Sequence, residues 1–131
     1  MLHWKFKDYR PKGVRCQIEE WYEEQDGDIQ GEFDLALLVL AENEEWSETT
    51  DCVALAGDYL GLYELVIDVT LEDKFVAVRV IGIWRPDSPN FIMLVCAEKD
   101  TSNYVPLLKK ALEYKEAWEQ RREGEIYDHI F

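Results

Sequence analysis

The sequence predicts an α+β protein in which an N-terminal strand and a helical hairpin pack on an antiparallel β-meander, with a C-terminal helix. Three observations predict it. The stretches GLYELVIDV (residues 61–69) and FVAVRVIGIW (residues 75–84) are rich in β-branched and aromatic residues, and the apolar run FIMLVCA (residues 91–97) follows them, the composition of successive strands. Residues 18–40 instead repeat their apolar side chains at three- and four-residue intervals, the spacing of amphipathic helices. A last helical pattern begins at Pro106 and runs to Trp118.

Taken in order, LHWKFKDY alternates apolar and polar residues, with Leu2, Trp4 and Phe6 on one side, and suits a short edge strand. Pro11 and Gly13 mark a turn. Ile18, Trp21, Tyr22 and Gln25 share one stripe of a helix over residues 14–25, which Asp26 and Gly27 interrupt. A second helix over residues 28–41 has Asp28 as N-cap and Ile29, Phe33, Ala36, Leu37 and Leu40 as its inner stripe. Residues 42–51 read as a solvated acidic linker from which Trp46 tucks back onto the core, and Val53 and Leu55 as a connecting turn. Leu71, Glu72 and Asp73 join the first two meander strands into an antiparallel hairpin, and Pro86 to Pro89 break the chain before the third. The unrelieved apolar run of that third strand puts it mid-sheet with both faces covered. Pro106 opens the last helix, where proline is tolerated, with Leu108, Ala111, Leu112, Lys115 and Trp118 facing inward and an end near Gly124. The tail EIYDHIF keeps apolar weight in Ile126, Ile130 and Phe131, enough to dock, and it leaves a homodimer open.

Composition bounds the function. A chain of 131 residues that is 47% hydrophobic, with five Trp, seven Tyr and five Phe, reads as one folded domain over residues 1–131. Its 28 Asp and Glu against 14 Lys and Arg give a formal net charge of -14, which argues against broad attraction to nucleic acid or anionic lipid. Screening over about 10 Å still lets a local basic cluster act against the net sign. The acids gather at residues 19–28 and 42–51, and the basic groups in the first ten residues and the last helix. No stretch approaches the roughly 18 apolar residues of a membrane span, and MLHWKFKDYRPKG lacks the apolar run of a leader, so a cytoplasmic protein is expected. Cys16, Cys52 and Cys96 are odd in number and widely spaced, which suits buried free thiols. The glycines form no phosphate loop, the two His and three Cys no metal spacing, and Ser47, Ser88 and Ser102 no nucleophile elbow. No cofactor or metal is expected.

Four pieces together carry a family resemblance: IEEWYEE in the first helix, GLYEL opening the meander, VRVIG in its second strand, and FIMLVCAEKD followed by a proline and an alanine-bearing helix. In this order they resemble the RelE/HigB superfamily of toxins, in particular its phage-derived HigB-like branch, from Ile18 to Trp118. The resemblance implies a RelE-like fold and the toxin of a type II toxin-antitoxin pair. Such a toxin is a metal-independent endoribonuclease that cleaves mRNA, with or without the ribosome, and is neutralised by a cognate antitoxin. In that chemistry a 2′-hydroxyl attacks the neighbouring phosphate, so the site supplies a base, an acid and positive charge. The resemblance assigns Arg79 to the phosphate, with a structural ion pair to Glu64 as its alternative role. Lys99 stands where the family carries a lysine pair, here Glu98 and Lys99 followed by Asp100, and Val66 stands where an arginine often follows GLYEL. Tyr104 and His129, with Tyr127, are the candidates for acid and base, Arg85 is a spare cation, and His3 ranks below them. The competing expectation is an acidic protein of the same fold that has lost catalysis and acts through protein binding.

Overall fold

In the computed structural model, which describes residues 2–48, 50–99 and 102–129, the chain runs β1 (Lys5–Arg10), α1 (Gln17–Glu23), α2 (Gly27–Glu42), β2 (Cys52–Ala54), β3 (Tyr63–Thr70), β4 (Phe75–Arg85), β5 (Asn90–Glu98), α3 (Tyr104–Glu119) and β6 (Glu125–Asp128). The strands form one open six-stranded sheet in the order β2-β3-β4-β5-β1-β6. β3, β4 and β5 make the antiparallel meander that the sequence predicts, and β1 joins β5 in a parallel pair.

Alternation along the strands sends apolar groups to both faces. Leu65, Ile67, Val69, Val76, Val78 and Val80 join Ile18, Trp21, Phe33 and Leu37 of the helical hairpin in one core. On the other face Ile81, Ile83, Ile92, Leu94 and Val95 pack against Leu108 and Ala111 of α3. The result is an α+β architecture with a sheet between two helical layers. Every residue from Phe91 to Cys96 is buried, the two-sided burial expected of the third meander strand. Its register with β4 shifts between Ile81 and Gly82, where Ile81 faces Val95 but Gly82 faces Met93. Leu94 is the extra residue of this bulge, so Leu94 and Val95 both point to the α3 face. Trp46 is buried as predicted, its indole nitrogen donating to the Leu40 carbonyl at 2.7 Å, and all three cysteines are buried free thiols.

Several elements differ from their sequence reading. β1 is not an edge strand, because the tail folds back as β6 and pairs with it antiparallel from Lys7 to Arg10. The Tyr9 hydroxyl, buried under this return, donates to the Glu123 carbonyl at 2.9 Å. Val53 lies in a strand, not a turn, since residues 52–54 pair with residues 63–65. α1 is shorter than residues 14–25 because Val14 remains exposed ahead of a buried Cys16. α2 begins one residue before Asp28, and Asp26 holds the N-cap position. Pro106 is the third residue of α3 and not its first. The parts of the tail and of the Lys99 loop that fall on Asp100, Ile130 and Phe131 lie outside the described residues. Among the described residues no helix is long and apolar enough to cross a membrane.

Candidate functional site

Pairing places Arg79 opposite Val66, and on an antiparallel ladder the residues two positions either side of the partner are diagonal neighbours on the same face. Those residues are Glu64 and Asp68. The Arg79 guanidinium spans the short Val66 side chain and meets both carboxylates, with Nε 3.1 Å from Glu64 Oε1 and Nη1 2.8 Å from Asp68 Oδ1. Nη1 also donates to the Val78 carbonyl, whereas the Nε approach to Glu64 is too oblique for a hydrogen bond. The Arg79 and Glu64 side chains are only 13% and 9% exposed. This is a partly desolvated, three-member charge cluster on the α3 face of the sheet.

Two more predicted residues join it. Tyr104, in the first turn of α3, donates its hydroxyl to Glu64 Oε2. Lys99, just past the end of β5, is held by its backbone nitrogen on the Ala77 carbonyl at 2.7 Å and sets its ammonium 4.9 Å from the centre of the Tyr104 ring. The fold therefore gathers Arg79, Lys99 and Tyr104 on one patch, from three elements. Glu64 and Asp68 bring two carboxylates to the same neighbourhood as these two cations, while Glu98 pairs with Val78 and so points to the opposite face of the sheet.

His129 is elsewhere. It follows β6 on the face covered by the helical hairpin, edge-on to Tyr22 and Phe33. Its Nδ1 lies 2.9 Å from Asp8 Oδ2 and its Nε2 3.4 Å from Asp34 Oδ1, and Tyr22 donates to the second oxygen of Asp34 at 2.6 Å. Burial alone disfavours the charged imidazolium, but the hydrogen bonds and charges of Asp8 and Asp34 outweigh it and raise the His129 pKa. Burial also raises Asp8, against the pull of His129, and burial with the Asp34 contact pushes Tyr22 up to about 12. Tyr127 donates to Glu19 at 2.6 Å in the same region. The sheet thus separates His129 and Tyr127 from the Arg79 cluster. Arg85 is exposed at the end of β4, and His3 is exposed ahead of β1, bonded through its backbone to Ala41.

Among the described residues no group of His, Cys, Asp and Glu is placed to hold a metal ion. The thiols offer no nucleophile, since burial raises Cys16 and Cys96 and lifts Cys52 to about 12. Sequence reading named Glu64 only as a partner and passed over Asp68, although both share the face of Arg79 by alternation. It also passed over Asp8, whose position two residues beyond Phe6 continues the apolar side of β1. No family model matches the sequence, and no curated protein or solved structure matches the chain.

Proposed function

We propose that this chain is a RelE/HigB-like domain whose RNA-cleaving site is closed by its own carboxylates, and that it acts by binding another protein. The observation that carries this reading is the engagement of Arg79 by Glu64 and Asp68 together. A substrate phosphate reaching Arg79 has to displace or face two carboxylates already within contact distance. At an effective dielectric of 20, one like charge at 4 Å opposes it by about 4 kcal/mol before screening. Tyr104 and Glu64 are also spent on each other, so the hydroxyl that would protonate a leaving oxygen and the carboxylate that would accept a proton are mutually satisfied. Of the two cations in this patch, Lys99 is the one left to attract RNA.

One observation favours a second reading, the mRNA-cleaving toxin held by a cognate antitoxin. Arg79, Lys99 and Tyr104 do converge, as such a site requires. In that reading substrate binding separates Tyr104 from Glu64. The 2′-hydroxyl passes its proton to Glu64 as its oxygen bonds to phosphorus, and the 5′-oxygen leaves with the proton of Tyr104, the two cations bearing the phosphate charge.

Inducible expression of the wild type and of a Lys99→Ala/Tyr104→Phe double variant separates the two, with growth and cleavage of a reporter mRNA as readouts. Both substitutions leave the Arg79 pair in place, which Arg79→Ala would not. The expected outcome is normal growth and intact mRNA in both cultures. Growth arrest and mRNA cleavage by the wild type alone, with the double variant equally folded by circular dichroism, would establish the toxin reading instead.

A further inference from the structure

None of the 14 Lys and Arg residues lies between Cys16 and Asp73, whereas 18 of the 28 Asp and Glu do. This segment is α1, α2, β2 and β3, so it supplies the whole helical layer on one side of the sheet. Among the described residues, Lys and Arg from outside reach the helical layer only at Glu23, which pairs with Arg15, and at Asp26, which pairs with Lys74, while Arg79 meets Glu64 and Asp68 of β3 on the other face of the sheet. The outer face of α2 is different. Leu35 and Val39, one turn apart, are 53% and 50% exposed, and Glu32 and Glu42 flank them at helical spacing, with Asp28 a further turn back. Among the described residues Asp28, Glu32 and Glu42 form no ion pair, and all three are exposed.

The arrangement works against the helix that carries it. Asp28 and Glu32 repel each other four residues apart. The last turn has no basic residue and ends in Glu42 followed by Glu44 and Glu45, where the helix dipole favours cations. Local rules broken together on one exposed face, with aliphatic side chains between them, are what a binding surface looks like before its partner arrives.

We propose that the outer face of α2 docks a basic amphipathic helix of a partner protein, its aliphatic side chains meeting Leu35 and Val39 and its cations meeting Asp28, Glu32 and Glu42. The site runs along α2 from Asp28 to Glu42, roughly 21 Å at the helical rise, which calls for about four turns of partner helix. Nucleic acid and anionic lipid are repelled by the same charge, and a symmetric second copy would set this anionic face against itself. The inference takes protein binding from the function proposed above. It does not depend on the state of the Arg79 cluster, which lies on the opposite face, so RNA cleavage in the growth assay would leave it standing.

The test is fluorescence anisotropy of the full chain with a labelled helical peptide of Lys, Ala and Leu, carrying Lys at both ends and two Leu one turn apart between them. A peptide of the same composition in scrambled order is the control. The ordered peptide is expected to bind at least about tenfold more tightly than the scrambled one, and more weakly as salt rises from about 0.05 M to about 0.3 M. Leu35→Ser/Val39→Ser and Glu32→Lys/Glu42→Lys each remove that preference, and Glu113→Lys on α3 keeps it. Equal binding of the two peptides, or α2 variants that bind like the wild type, overturns the proposal. So does a dimer in gel filtration that the α2 variants dissolve, since the face would then be a contact between copies of this chain.

Discussion

Asp8 and His129 are 121 positions apart in the chain and almost fully enclosed together, so the pairing ties the end of β6 to the middle of β1. Removing the imidazole leaves a buried carboxylate without its partner, and breaking such a pair costs on the order of 3 kcal/mol. Its pH dependence follows from the direction of the shifts. His129 holds its proton more tightly folded than unfolded, so its contribution is complete below its ordinary value of 6.5 and is lost as pH rises through the higher folded value. Asp8 is raised too and therefore adds nothing that grows with pH. Asp8 from β1 and Asp34 from α2 face the ring, and Tyr22 from α1, which bonds Asp34 and lies edge-on to the ring, keeps its proton until about 12. The melting temperature of the wild type is expected to be higher near pH 6 than near pH 8, below the range in which the three buried thiols add their own loss, and His129→Gln to flatten that difference while lowering stability throughout. An unchanged pH difference in His129→Gln would show that the tail histidine does not carry it. The sequence gives little hint of this pair, because nothing local joins a tail histidine to a strand aspartate. The Arg79 to Glu64 contact was legible, since both lie in a hairpin whose short turn limits the register.

Elements with long, consistent patterns were readable, and short ones were not. α2 and the meander each offer many residues of one period, and their inner stripes appear as predicted. β2 and β6 are strands of three and four residues, too short to show alternation, and they exist because an open sheet edge was waiting for them. α1 ends the same argument differently. The Gln17 side-chain amide both donates to and accepts from the backbone of Cys96, at 2.7 and 2.6 Å, so it completes the β5 ladder beyond the point where β1 stops pairing at Met93. The bulge between β4 and β5 yields a sharper expectation. A Cβ on Gly82 would stand 2.1 Å from the Ile92 carbonyl oxygen and 2.6 Å from the Phe91 ring. The first of these is backbone at the centre of the sheet and cannot swing aside, so Gly82→Ala must spread the strands. A loss of about 2 kcal/mol or more in urea unfolding is expected. A variant as stable as the wild type would mean that β4 and β5 are not this close.

Charge is the property of the whole molecule that the sequence states outright, yet its consequence depends on the fold. The formal charge of -14 would be tolerable if spread evenly, but residues 16–73 hold 18 acids and no Lys or Arg, and nine of those acids, from Glu19 to Glu42, lie on or between α1 and α2 in one helical layer. At low salt the Debye length reaches about 30 Å, so every acid in that layer feels the others and the folded state, which packs them closest, is destabilised. Added salt also weakens the surface ion pairs, such as Arg15 with Glu23 and Lys115 with Glu119, which pulls the other way. Exposed pairs are worth at most about 1 kcal/mol each, and among the described residues they are fewer than the acids of residues 16–73 that form no ion pair, so relief of repulsion should win. Raising sodium chloride from about 0.02 M to about 0.5 M is therefore expected to raise the melting temperature by at least about 4 °C, the shift that 1 kcal/mol gives a domain of this size. The Glu32→Lys/Glu42→Lys variant should begin higher at low salt and gain less, because it removes repulsion that the salt would otherwise screen. A melting temperature that falls with salt in the wild type would mean that the ion pairs dominate, and would remove the electrostatic strain on which the docking of a basic helix depends.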